Sequence, residues 1–211
     1  SRYSGEYIKF GNDENNLYRI VSHENVTGTK ITSVEPLKGS RKFVESAFDS
    51  NSNVNYSSTN TVGIFLNEDY LTNYVGAEYS NIIEDNTTWY TGNIGQRKSY
   101  MLGKYIDATG TTLTSSKSDA KVGLLRLGEL MAGQFERGTV KGGILSTGLI
   151  ENYWLLTPFN SSRIYYVGRG GSFYTHPTSE LAVRPSLNLK QNVVITSGDG
   201  TKNNPFTLEL Q

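Results

Sequence analysis

Trp154-Leu155-Leu156-Thr157-Pro158, Arg163-Ile164-Tyr165-Tyr166-Val167 and Ala182-Val183-Arg184-Pro185-Ser186-Leu187-Asn188-Leu189 are three apolar, β-rich runs in close succession. The first is expected to stop at its proline. After the second, Gly168-Arg169-Gly170-Gly171-Ser172-Phe173 carries the glycines that turn a chain back on itself. Farther on, Val193-Val194-Ile195-Thr196, the Ser197-Gly198-Asp199-Gly200 turn and Phe206 to Leu210 read as a terminal hairpin. Short turns join antiparallel strands, so this part of the chain predicts an antiparallel sheet.

Outward from that sheet the pattern mixes. Lys121-Val122-Gly123-Leu124-Leu125 reads as a strand, and Leu127, Leu130, Met131 and Phe135 have helical spacing over residues 127–135. Gly128 and Gly133 each weaken that helix by ~1 kcal/mol, which implies close contact with a neighbour. Near the start, Leu17 to Val21 and Thr29 to Val34 flank turn residues Asn25 to Gly28 and predict a hairpin. Phe43, Val44, Ala47 and Phe48 predict a helix over residues 40–48 capped by Ser40, and the spacing of Ile64, Phe65, Leu66, Tyr70, Leu71 and Tyr74 predicts another over Val62 to Tyr74. Asp49 to Asn55 and Gly110 to Asp119 read as polar loops, and Ser99 to Leu102 as a short strand. The expected class is α+β: an antiparallel sheet, two or so helices and long loops, in one domain spanning residues 1–211.

Composition excludes several functions. The chain has 20 basic and 20 acidic residues, so no global field favours nucleic acid or an anionic membrane. It has no cysteine, which removes disulfides, thiol catalysis and thiolate metal sites, and only two histidines. Its 14 Tyr, 8 Phe and 2 Trp nevertheless mark a folded core rather than a disordered chain. No stretch approaches the ~20 apolar residues that span a bilayer. The opening Ser1-Arg2-Tyr3-Ser4-Gly5 reads as an internal boundary, with a membrane anchor expected upstream.

An ordered set of residues carries a resemblance: Val122-Gly123-Leu124 with Glu129, Tyr153-Trp154, Gly168 to Phe173, and Val183-Arg184-Pro185. The set resembles the C-type-lectin-like fold of bacterial surface modules, to which formylglycine-generating-enzyme relatives are distantly related in fold. Leu17 to Val21 and Gly198 to Phe206 resemble exported Gram-positive proteins, including type IV prepilin-like ones. The resemblance implies an extracellular, non-enzymatic domain of a cell-surface or pilus protein, a structural subunit or an adhesin. Its implied partners are other pilus or surface subunits, a glycan or a host protein. It also implies structural roles for Trp154 and Arg184, with Arg184 anchoring either a buried carboxylate, for which Glu129 is the candidate, or backbone carbonyls. The calcium-ligand patterns of sugar-binding lectins do not follow Trp154, where Leu155-Leu156 stands instead.

Catalytic and cofactor patterns are weak. No Gly-x-Ser-x-Gly elbow accompanies His23 or His176, and His176 reads as a loop histidine. Glu68-Asp69 and Glu84-Asp85 are adjacent, so in a strand their side chains face apart. Asp49, Asn51, Asn53 and Asn55 imitate a calcium loop but lack its central glycine and its twelfth-position Glu, which is Asn60. Gly168 to Gly171 lacks the Lys-Ser/Thr and helix of a phosphate loop. No catalytic residue, metal or cofactor is therefore expected. The expected ligand surface is the aromatic and basic stretch of Arg163, Tyr165, Arg169, Phe173, Tyr174 and His176, with Phe159 and Tyr166 beside it. Strand alternation requires part of this stretch to be core.

Overall fold

A computed structural model describes residues 4–24, 28–91, 115–117, 120–131, 139–141, 144–146 and 151–211. Strands β1 (Tyr7–Lys9), β2 (Leu17–Glu24) and β3 (Gly28–Ser33) come first. The expected hairpin forms, with Ile20 opposite Ile31 and Tyr18 opposite Ser33. The helix expected over residues 40–48 does not. An antiparallel bridge joins Lys38 to Phe43, and β4 (Glu45–Ala47) is a strand, so Ser40 caps no helix. The apolar spacing there is helical, but β4 pairs with β13 (Glu180–Ala182), and Phe48 meets Trp154 edge-on at 5.8 Å. Partner and burial override a weak local preference.

Helix α1 (Thr61–Asn67) is followed by a short π-helical stretch, Leu71–Val75, and by α2 (Ala77–Ser80). The helical spacing of residues 62–74 is thus realised in two pieces. At Gly63 the helix lies so close to the preceding loop that an added Cβ would stand 1.9 Å from Ser57 O and 2.7 Å from Asn60 Oδ1. Gly63→Ala should therefore destabilise by about 1–3 kcal/mol in urea titration, although alanine is the better helix former. A neutral or stabilised variant would show that the 57–60 loop yields freely.

Strand β5 (Thr88–Tyr90) pairs with β6 (Ser115–Lys117), so part of the loop expected over residues 110–119 is strand. The strand expected over residues 99–102 lies outside the described residues. Strand β7 (Val122–Leu124) forms where expected, and α3 (Leu127–Met131) follows. The remainder of that helix, residues 132–135, is likewise outside the described residues. Strands β8 (Thr139–Lys141) and β9 (Ile144–Ser146) pair with each other.

The expected late sheet is present, with two corrections. β10 (Tyr153–Asn160) runs through Pro158 instead of stopping there, since the register shifts on both sides of the proline. The run from Ala182 to Leu189 is two strands: β13 ends at Ala182, and β14 (Pro185–Leu189) begins past Val183-Arg184. Those two residues carry the chain from one sheet to another. β11 (Arg163–Gly168) and β12 (Gly171–Thr175) form a tight hairpin, and β15 (Val193–Ser197) and β16 (Thr207–Leu210) the terminal one.

Among the described residues there are two five-stranded sheets rather than one, ordered β1-β2-β3-β14-β7 and β12-β11-β10-β13-β4. Their strand pairings are antiparallel except β10 with β13. Both are accompanied by short hairpins, giving a mostly antiparallel, sheet-rich α+β architecture. β10 is buried on both faces: Trp154 and Leu156 join the larger core with Ile31, Phe48 and Leu187, while Tyr153 and Leu155 join a second core with Val21, Leu127 and Leu130. Among the described residues no helix is long and apolar enough to cross a membrane.

Sheet edges are finished by side chains. The amide of Asn67, at the end of α1, takes the place of a strand beside β7. Its Oδ1 accepts from the Lys121 and Val122 N–H groups at 2.8 and 3.1 Å, and its Nδ2 donates to Val122 O at 3.1 Å and Gly63 O at 2.9 Å. Tyr56 Oη–H donates to Val122 O as well, and Trp89 Nε1–H donates to Ala120 O at 3.0 Å. At the opposite edge, β1 is covered by the turn before β16, with Tyr7 N–H on Gly200 O and Phe206 N–H on Tyr7 O.

Candidate functional site

The pleat of β11 and β12 decides where the aromatic stretch goes. Tyr165 stands opposite Tyr174, and Tyr166 opposite Phe173, so the two pairs occupy opposite faces of the sheet. On the first face Phe159, Tyr165 and Tyr174 gather. Phe159 and Tyr174 stack with centroids 3.8 Å apart and planes 3° from parallel. Tyr165 meets both edge-on, at 5.4 and 6.5 Å. The two T-shaped contacts suit ring quadrupoles. Tyr165 is buried in the second core, Phe159 is half-buried against it, and Tyr174 is 50% exposed. The outcome is an inner ring, a middle ring and an outer ring with one side in water.

On the other face Tyr166 and Phe173 lie 5.7 Å apart, with Phe173 43% exposed. The expected ligand surface is therefore not one surface. Arg163 shares the Tyr165 and Tyr174 face by alternation and is half-buried at the β10–β11 turn. Exposed Arg169 sits in the Arg169-Gly170 turn at the far end of the hairpin, about 20 Å away along the strand. His176 follows β12 directly at the Arg163 end and is exposed; its carbonyl accepts the Ser179 N–H at 3.0 Å. Tyr174, Phe159, Tyr165 and Arg163 are brought together; Phe173 and Arg169 are not. Strand register, rather than composition, is the signal that separates them.

Trp154 is fully buried, and its Nε1–H donates to Ser46 O at 2.8 Å, tying β10 to β4. Arg184 is fully buried where the chain changes sheets. Its Nε donates to Ser33 O at 2.8 Å, one terminal nitrogen to Val34 O and the other to the Tyr153 hydroxyl, both at 3.2 Å. It binds backbone carbonyls, and Glu129 is not its carboxylate. Glu129 Oε1 instead accepts from Lys30 Nζ at 2.8 Å and from the Arg126 N–H at 2.9 Å, while Oε2 is buried without a partner. The reach from Glu129 back to residue 126 is half of a capping box, and Thr157 Oγ1 takes the next free N–H, that of Leu127. Lys30 Nζ also lies 5.2 Å from the centre of the Trp89 ring. Burial pushes the Glu129 carboxyl up, but Lys30, then the Arg126 guanidinium, outweigh it and hold the group below its ordinary value. The partner of Glu129 is 99 residues away in sequence, and no spacing rule finds it.

The Asp49 loop spends its carboxylate internally. Oδ2 accepts from Asn53 N–H at 2.8 Å and Asn53 Nδ2 at 2.6 Å. Among the described residues, no three His, Asp or Glu side chains gather as a metal site would require. Comparison with protein-family models, with curated proteins and with solved structures returned no match.

Proposed function

We propose that this chain is an extracellular, non-enzymatic domain of a cell-surface or pilus-like protein, and that it recognises a glycan or a host protein through the Tyr174 face of β12. The observation that carries the reading is Tyr174 itself. A large amphipathic ring is half exposed on a strand yet held flat by stacking on Phe159, which in turn leans on buried Tyr165. A ring already immobilised loses little entropy when a ligand lands on it, the property that makes Tyr a frequent binding anchor. Arg163 on the same face adds a fork of hydrogen-bond donors for hydroxyls, carbonyls or carboxylates. The C-type-lectin-like resemblance of Val122-Gly123-Leu124, Tyr153-Trp154 and Val183-Arg184-Pro185 belongs to the same reading.

The test is an array of glycans and matrix proteins, probed with calcium and again with chelator. Tyr174→Ala should weaken saturable binding about tenfold or more. It should lower the melting temperature only slightly, because the lost stacking is worth about 1 kcal/mol. Phe173→Ala, on the opposite face, should bind as the parent does. Equal losses from both substitutions, or none from either, would remove the Tyr174 face from the account. A structural-subunit reading is favoured by Ile64 of α1 and Leu210 of β16, which are 44% and 39% exposed. Its mark is self-association without array binding.

A further inference from the structure

A groove of about 300 Å³ lies between the β15–β16 hairpin and the sheet beneath it. Ile8, Ile20 and Leu189 form one wall and Val193, Ile195 and Leu208 the other. Ile8, Ile20 and Leu189 are buried, whereas Val193, Ile195 and Leu208 pack against that core while remaining half-buried, so the hairpin covers the sheet with part of its own apolar surface still in water. The walls are wholly aliphatic, with no ring to stack an aromatic or sugar ligand. The rim is polar and includes Lys190, Gln191 and His23, the last engaged through Nδ1 with Thr29 Oγ1 at 2.5 Å. Among the described residues that line it there is no carboxylate.

The charge balance at the rim is uneven. Asp85 serves two ammonium groups: Lys121 Nζ holds Oδ1 at 2.8 Å, and Lys190 Nζ reaches Oδ2 only at 3.6 Å. Glu84 turns its carboxylate to the Asn86 N–H at 3.2 Å. Lys190 is thus the less satisfied of two cations sharing one anion, and it stands beside an aliphatic slot. An ammonium has three donors, and one long contact leaves it able to bind a second carboxylate.

We infer that this groove binds a small amphipathic carboxylate, with an unbranched aliphatic tail between hairpin and sheet and its carboxylate on Lys190. The volume is at the small end of the range for ligand sites and suits a short chain rather than a long lipid. The tail removes the half-exposed surfaces of Val193, Ile195 and Leu208 from water, and the head supplies the anion that the Asp85–Lys121–Lys190 cluster lacks. The site is independent of Tyr174, so either can fail alone.

The experiment titrates the whole chain with butanoate, hexanoate and octanoate, followed by calorimetry and by backbone amide shifts. Affinity should rise about fourfold for each added methylene, the increment for burying that group. Amide shifts should centre on residues 28–29 and 189–195. Lys190→Gln should weaken octanoate about tenfold and leave octanol unchanged. Leu208→Trp should fill the slot and abolish binding of both. Absence of saturable octanoate binding at low millimolar concentration overturns the inference. So does octanol binding as tightly as octanoate, or Lys190→Gln having no effect on a chain that still melts cooperatively.

Discussion

Replacing Asn67 by Leu should cost about 3–5 kcal/mol, read as a lower urea midpoint with an unchanged slope. The side chain is not a generic polar contact, because it completes a sheet edge. β14 pairs with one side of β7, and among the described residues Asn67 is what meets the N–H groups of Lys121 and Val122 on the other. Leucine fits the space in size but leaves both donors without an acceptor, at ~1–3 kcal/mol for each buried group. The Val122 carbonyl fares better, since Tyr56 still donates to it. Asn67→Asp separates the two halves of the interaction. It keeps an acceptor for the two N–H groups but points its second oxygen at the Gly63 and Val122 carbonyls, which now receive from Nδ2. Protonation turns that oxygen into a donor, so the folded state favours the neutral acid and raises its pKa. The stability gained is present below the unfolded pKa and lost as pH rises through the folded one. The Asp variant should therefore approach the parent near pH 4 and fall away by pH 7, whereas the Leu deficit should stay flat. A small, pH-independent loss in both variants would mean that the edge closes by other means.

The same element shows why some of this molecule is legible in sequence and some is not. The 17–33 hairpin, the β10–β11–β12 meander and the terminal β15–β16 hairpin are written locally, as period-two runs bounded by turn residues. Residues 40–48 mislead because Phe43, Val44, Ala47 and Phe48 satisfy a helical spacing while β4 answers to β13, far along the chain. The break at Val183-Arg184 misleads for a related reason. An apolar run says that a segment is buried, not that it changes sheets halfway, and the device that secures the change is Arg184 binding the carbonyls of Ser33 and Val34. In the candidate site, composition picks out a stretch of rings and bases, but only the register Tyr165 to Tyr174 and Tyr166 to Phe173 assigns them to separate faces. The stacking of Phe159 on Tyr174 depends on the irregular end of β10, where Pro158 shifts the register. The groove over β14 depends on how the last hairpin leans, which no local pattern specifies.

Removal of Lys30 should be the other severe substitution. Lys30→Met takes the nearest cation from a carboxylate whose side chain is 4% exposed, and breaking a buried pair from one side costs about 3–5 kcal/mol at neutral pH. The pH dependence identifies the cause. In the parent, Glu129 is held below its ordinary value of 4.5, so its stabilisation is complete above that pH and is lost as pH falls through the lower folded value. Without the ammonium, burial, the largest influence on this group, is opposed only by Arg126 and the hydrogen bond to its N–H. The carboxyl then moves up in the folded protein. Its contribution becomes one that is present in acid and lost as pH rises through the raised value, the reverse of the parent. The deficit of Lys30→Met should consequently be largest at pH 7 and shrink toward pH 4.5. Adding Glu129→Gln to Lys30→Met should recover part of the loss at pH 7, because the amide keeps an acceptor for the Arg126 N–H and carries no charge. The double-mutant cycle then gives a coupling energy of the same sign at pH 7 and a smaller one in acid. A deficit that does not change between pH 7 and 4.5, together with no recovery in the double variant, would place the role of Lys30 in its contact with the Trp89 ring rather than in the ion pair.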